Sequence, residues 1–198
     1  IIRDNGVVVD KLDVKGLDVV RSNFPYAFKK FMSEILMDIL QDVDKGIIDK
    51  KIIDFQSDIK KMPIEDIALH TGVKHLKKFY NGKGSGMFTK VKKGTPVHVK
   101  AAIIYNDLLK YKGYDKKFEL INKGEKIKWA YLKQNPLNID AIGFKAYNDP
   151  PQILSFIEQY INHDKIFDRM LTNKINDFYK ALSWEKATDK SKTLEQFF

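Results

Sequence analysis

Lys74, Lys77, Lys78, Lys83, Lys90, Lys92, Lys93 and Lys100 all fall between Ile67 and Asn106, a stretch without a single Asp or Glu. The whole chain carries 35 Lys and Arg against 26 Asp and Glu, a formal net charge of +9, so nearly all of the excess sits in this window. Ammonium groups clustered without carboxylates attract a polyanion. The commonest biological polyanion is a phosphodiester backbone, whose affinity grows with each phosphate neutralised as counterions are released. The competing reading is a solvated basic loop with no partner.

Catalytic chemistry finds little support. His70 and His75 lie within the acid-free stretch, and His98 and His163 are isolated, which reads as surface or core histidine. No HExxH, triad or paired-acid arrangement occurs. The run Asn81 to Gly86, NGKGSG, has the glycines of a phosphate loop. However, Gly84 follows Lys83 where a P-loop needs Ser or Thr to reach magnesium, and no strand precedes it. Two-metal phosphoryl transfer needs clustered carboxylates, whereas the acids here are spread along amphipathic faces.

Length and composition fit one folded unit: 198 residues with 43% hydrophobic content can bury a sizeable core. The absence of cysteine excludes a disulfide framework and thiolate metal sites. No run approaches the roughly 18 apolar residues of a bilayer span, and no secretory leader is recognisable, so the expected setting is the cytoplasm. The chain begins at Ile1, in what reads as a strand, and is expected to be a piece of something longer or a processed product.

The elements follow from periodicity. Ile1 to Val14 alternates, with Asp4, Asn5 and Gly6 as turn chemistry, and predicts a hairpin. Ser22 or Asn23 as cap, Pro25 in the first turn and the stripe Phe28, Phe31, Met32, Ile35, Leu36, Ile39 and Leu40 predict a helix ending near Gly46. A second run, Ile48, Ile52, Phe55 and Ile59, stops before Pro63, and the two predict a helical hairpin. Gly72, Gly82, Gly84, Gly86 and Gly94 make the intervening segment read as exposed loop. Val97 to Lys110 is helical by pattern. Lys126 to Lys133 and Ile139 to Ala146 read as strands turning at Asn135, Pro136 and Asn138. Ile153 to Ile161 and Ile166 to Leu182 read as helices, and the last fourteen residues are polar until the end. The class is α+β, mainly α, with a short N-terminal β-hairpin and a small second β-hairpin.

Five segments in order carry a resemblance. They are Gly16 to Pro25 (GLDVVRSNFP), His70 to Leu76 (HTGVKHL), Gly94 to Asn106 (GTPVHVKAAIIYN), Lys126 to Lys145 (KIKWAYLKQNPLNIDAIGFK) and Asn162 to Trp184 (NHDKIFDRMLTNKINDFYKALSW). Together they resemble the C-terminal region of family B DNA polymerases, most of all the compact T-even-type bacteriophage form. There a KLxxxGLxxxRSxxP stretch joins palm to thumb. The resemblance covers essentially the whole chain. It implies a helical thumb domain over residues 21–186, preceded by the C-terminal edge of the palm over 1–20.

By that similarity the thumb wraps primer-template DNA. It sets Thr71, Gly72, Lys74, His75, Lys77 and Lys78, then Lys90, Lys92, Lys93, Gly94, Thr95, His98 and Lys100, against phosphates. Lysines on a glycine-bearing segment contact backbone and not base edges, so the binding is expected to tolerate any sequence. Arg21 and Ser22 sit at the palm to thumb transition, as backbone contacts or in a structural role. The family's catalytic aspartates and its KKRY-type motif are not found in this chain. No catalytic residue, metal ligand or cofactor is therefore expected here, with magnesium belonging to the full polymerase. If the rest of the polymerase is a separate polypeptide, it is expected to dock on Ile1 to Val14.

The end of the chain, Ser191 to Phe198 (SKTLEQFF), is similar to sliding-clamp peptides, with Leu194, Phe197 and Phe198 at the aliphatic and aromatic positions and Ser191 where glutamine is usual. Residues 187–198 are thus expected to be a clamp-binding tail, the alternative being that the phenylalanines fold back on their own domain. The expected partners are primer-template DNA, a sliding clamp and the remainder of the polymerase, with no membrane. Two other classes stay open: a stand-alone nucleic-acid-binding replication accessory protein, and a nuclease that assembles a carboxylate cluster from distant acids.

Overall fold

Phe28, Phe31, Met32 and Ile35 recur at the three- and four-residue spacing that places side chains on one helical face. All four are buried on α1 (Tyr26–Leu40). Their partner is Phe55 on α2 (Lys45–Asp58), which stacks on Phe31 with ring centroids 4.0 Å apart and meets Phe28 edge-on at 5.4 Å. The helical hairpin is therefore held by aromatic contacts, each buried ring contributing about 2–3 kcal/mol.

The computed structural model describes residues 2–4, 7–9, 24–79, 81 and 87–184. The expected cap at Ser22 or Asn23 is not the one found, because α1 is N-capped at Pro25 with no side-chain cap hydrogen bond. The DNA contacts expected at Arg21 and Ser22, Lys83, and the tail residues Leu194, Phe197 and Phe198 lie outside the described residues. At the N-terminus β1 (Ile2–Asp4) pairs antiparallel with β2 (Val7–Val9), as the alternation predicts.

One boundary differs from expectation. The first helix ends at Leu40 and not near Gly46, because the apolar stripe runs across a break that local polar chemistry creates. Asp42 adopts φ +55°, and Asp44 caps a new helix by accepting a hydrogen bond from the Gly46 N–H at 2.7 Å. A 3-10 turn, Ile59–Lys61, then ends the second helix before Pro63, and a single turn, α3 (Ile64–Ile67), leads into the sheet.

The sheet has three antiparallel strands where two were expected. β4 (Lys126–Tyr131) and β5 (Ala141–Phe144) form the predicted hairpin, and β3 (Leu69–Gly72) adds to the free side of β4 in the order β3-β4-β5. Across this sheet lies α4 (Val97–Tyr111), buried on nearly every face from Val99 to Leu109. Gly143 makes that approach possible: a Cβ there would stand 3.3 Å from the Ala101 backbone carbonyl. Helix α5 (Pro151–Tyr160) follows, then α6 (His163–Phe167) and α7 (Asn173–Ala181), joined through a π-helical turn at Asp168–Thr172. The fold is mainly helical, 56%, with one small three-stranded sheet, an α+β arrangement dominated by α. Among the described residues no helix is long and apolar enough to cross a membrane.

Candidate nucleic-acid interface

The segment expected as exposed glycine loop is a tied-down structure over most of its described length. Gly72 ends β3, and the ladder continues beyond it: the Val73 N–H donates to the Glu125 carbonyl at 2.8 Å, and the Gly124 N–H donates to the Val73 carbonyl at 2.7 Å. Val73 and Leu76 are buried anchors, whereas Lys74, His75, Lys77 and Lys78 are exposed. His75 turns the chain with φ +57°, and its carbonyl accepts from the Lys78 N–H, starting the 3-10 turn Leu76–Phe79. Alternation of anchor and cation thus fixes four basic side chains on a rigid edge.

Further on, the Asn81 N–H donates to the Lys90 carbonyl at 2.8 Å and the Lys92 N–H to the Phe79 carbonyl at 3.0 Å, closing the two limbs into a stem. Met87, Phe88 and Val91 pack against the core. Thr89 is fixed to α4, its N–H and hydroxyl donating to the two carboxylate oxygens of Asp107 at 2.6 and 3.0 Å. Lys90, Lys92 and Lys93 remain exposed. Lys92 to Thr95 form a four-residue turn closed by the Thr95 N–H and hydroxyl, both donating to the Lys92 carbonyl. Gly94 stands at its third position with φ +80°, which a turn of this kind requires and glycine adopts without strain. Pro96 then begins α4, whose first turn has no side-chain cap, so open backbone N–H groups and the positive end of the helix dipole adjoin Lys92 and Lys93.

Not every predicted contact is equally available. Thr71 accepts a hydrogen bond from the Trp129 indole N–H at 3.2 Å. Lys100 is ion-paired to Asp140 at 2.7 Å, an acid 40 positions away, so the acid-free window is neutralised here across the fold. Burial works to raise the Asp140 carboxyl, but the Lys100 hydrogen bond and charge outweigh it and hold it below its ordinary value, with Lys165 adding to the effect. His98 is half-buried. Burial, reinforced by the Arg169 charge, holds its pKa below the ordinary histidine value.

Arg169 belongs to a group that sequence reasoning missed. On and beside the π-helical turn, Lys165 lies 4.4 Å and Arg169 6.0 Å from the Tyr131 ring centroid, and Lys174 stands over Phe24. These cations lie 65 residues or more beyond Lys100, the last lysine of the window, and the fold brings the charge of Arg169 to His98 and that of Lys165 to Asp140. Their signal lay inside the NHDKIFDRM segment, where periodicity marks core positions and says nothing of the opposite face. Lys110 and Lys123 were also missed; they line one cleft with His75, Lys77 and Lys78. Among the described residues no cluster of His, Asp and Glu could hold a metal ion.

The chain matches no protein-family model, and a search of curated proteins finds no significantly similar sequence.

Proposed function

We propose that this chain grips duplex DNA through its backbone phosphates as the thumb of a family B DNA polymerase, and that its C-terminal peptide tethers the enzyme to a sliding clamp. The observation that carries the reading is the rigid presentation of Lys74, Lys77, Lys78, Lys90, Lys92 and Lys93, each exposed between buried or hydrogen-bonded anchors. An anchored backbone removes part of the ordering cost of meeting a phosphate, while the lysine side chains still lose rotamer freedom. The resemblance of five collinear segments supports the same role. On this reading the two magnesium ions and the catalytic aspartates belong to the remainder of the polymerase, and the chain alone holds DNA without extending it. The setting is the host cell cytoplasm for a viral enzyme.

Duplex affinity of Lys92→Ala with Lys93→Ala, measured across a salt series, tests the grip. Loss that is uniform across sequences, with a flatter salt dependence, supports it. Unchanged affinity removes the turn from the interface and, with it, the core of the reading.

A further inference from the structure

Beside the C-terminal half of α4 lies a cleft of about 810 Å³, removed from the Lys92 to Thr95 turn at the other end of the helix. Among the described residues its lining includes His75, Lys77, Lys78, Lys110 and Lys123 and no carboxylate residue. These basic side chains come from three separate parts of the chain. Their convergence is built, because the walls are cross-linked. Asn106, buried on α4, donates from its side chain to the Ile121 carbonyl at 2.8 Å and accepts from the Ile121 N–H at 2.7 Å. The paired backbone bonds of Val73 with Glu125 and Gly124 join the opposite wall to the same loop. The acids flanking the lining residues of that loop, Glu119 and Glu125, are paired with the buried Lys145 at 3.1 and 3.4 Å, and Glu125 also accepts from Asn122 at 3.1 and 3.2 Å.

We infer that this cleft holds a short single-stranded phosphodiester segment, at a site that shares Lys77 and Lys78 with the proposed duplex grip and lies away from the Lys92 to Thr95 turn. The cations would meet successive phosphates, while the apolar lining of Leu76, Leu120 and Ile121 takes sugar and base faces. The volume lies within the ordinary range for ligand pockets, about 300–1,000 Å³, and exceeds what a lone phosphate fills. Among the described residues no Phe, Tyr or Trp lines the cleft, so base stacking adds little and the recognition is chiefly of the backbone. The inference rests on the cleft's own lining and not on the polymerase reading, although Lys77 and Lys78 serve in both.

The chemistry shared with a free oligophosphate is separated by using two probes, an eight-nucleotide oligothymidylate and inorganic triphosphate, with the His75 imidazole resonances as the local reporter. Oligothymidylate is expected to shift those resonances, to bind more tightly than triphosphate, and to lose about tenfold in affinity or more on Lys110→Glu with Lys123→Glu. Both lysines are exposed, so the pair is expected to leave the fold intact. Lys29→Glu with Lys30→Glu makes the same charge change on the exposed face of α1 and is expected to have a much smaller effect. Equal loss in both pairs, or an unmoved His75, overturns the site. Tighter binding of triphosphate overturns the strand assignment. Because Lys92 and Lys93 do not line the cleft, their alanine variant is expected to keep the oligothymidylate-induced shift of the His75 resonances, which keeps this test distinct from that of the duplex grip.

Discussion

Thr89 and Asp107 are joined by two hydrogen bonds, the backbone N–H and the side-chain hydroxyl of the threonine each donating to a different carboxylate oxygen. Asp107 is the first acid after the lysine window and is buried, so its charge serves the fold by holding the lysine-bearing limb onto α4.

Removing that acceptor is expected to be costly. Asp107→Ala leaves two donors without their partner and is expected to lower unfolding free energy by about 2–3 kcal/mol, against about 1 kcal/mol for Thr89→Ala, which keeps the backbone bond. Urea denaturation of both variants checks the order. Equal effects would show that the hydroxyl, and not the carboxylate, is the anchor.

Two glycines separate strain from collision. Gly94 has φ +80° with open space about it, so Gly94→Ala is expected to cost about 1 kcal/mol through backbone strain alone and to weaken DNA binding by disturbing Lys92 and Lys93. A Cβ on Gly143 would meet Ile127 Cδ1 at 3.1 Å and the Ala101 backbone at 3.3 Å. Gly143→Ala is therefore expected to cost about 1–3 kcal/mol by pushing α4 off the sheet, with DNA affinity retained by the folded fraction. Thermal unfolding beside duplex titration distinguishes the two.

Stability is expected to fall on acidification, in two stages. Burial holds His98 and His163 below their ordinary value of 6.5, with Arg169 acting on the first and Lys133 on the second. The unfolded chain binds these protons more readily, so their contribution is full above that value and is lost as pH drops through it. Asp140 and Glu125 are likewise depressed, each against an opposing effect of burial: Asp140 chiefly by Lys100, and Glu125 by hydrogen bonds from Asn122 and then by Lys145. Their contribution is present above the ordinary carboxylate range and is lost below it. Urea midpoints at about pH 8 and about pH 5 are expected to differ, with His98→Gln narrowing the gap. Identical midpoints would contradict the burial of both histidines.

Deletion of Leu194 to Phe198 is expected to leave DNA affinity unchanged while abolishing capture by a sliding clamp. Equal capture with and without these residues would defeat the tether, and so would the loss of folding stability that a fold-back role predicts.

Much of the framework was legible because apolar periodicity reports the core directly. The helix from Val97, the strands about Asn135 to Asn138 and the stop before Pro63 all follow from local chemistry. What escaped was set by distant partners. Leu69 to Gly72 has too few residues to show alternation and becomes a strand only by pairing with Lys126 to Trp129. The unbroken apolar stripe from Phe28 to Leu40 gave no sign that Asp44 begins a new helix. At the site, local spacing found the lysine-rich edge. It did not find that Asp140 neutralises Lys100, or that Lys110, Lys123 and Arg169 approach its two ends.

The most direct test is the affinity of this chain for primer-template duplex, single-stranded DNA and heparin across a salt series, with and without Lys92 and Lys93. The duplex grip predicts tighter binding to duplex than to heparin at every salt concentration, with no dependence on sequence. It also predicts a logarithmic salt slope that becomes shallower by about 1.8 when both lysines are replaced by alanine, since each phosphate left without its cation accounts for about 0.9. Equal weak binding to all three, with a slope indifferent to those two lysines, would contradict it and leave the lysine window as solvated surface charge.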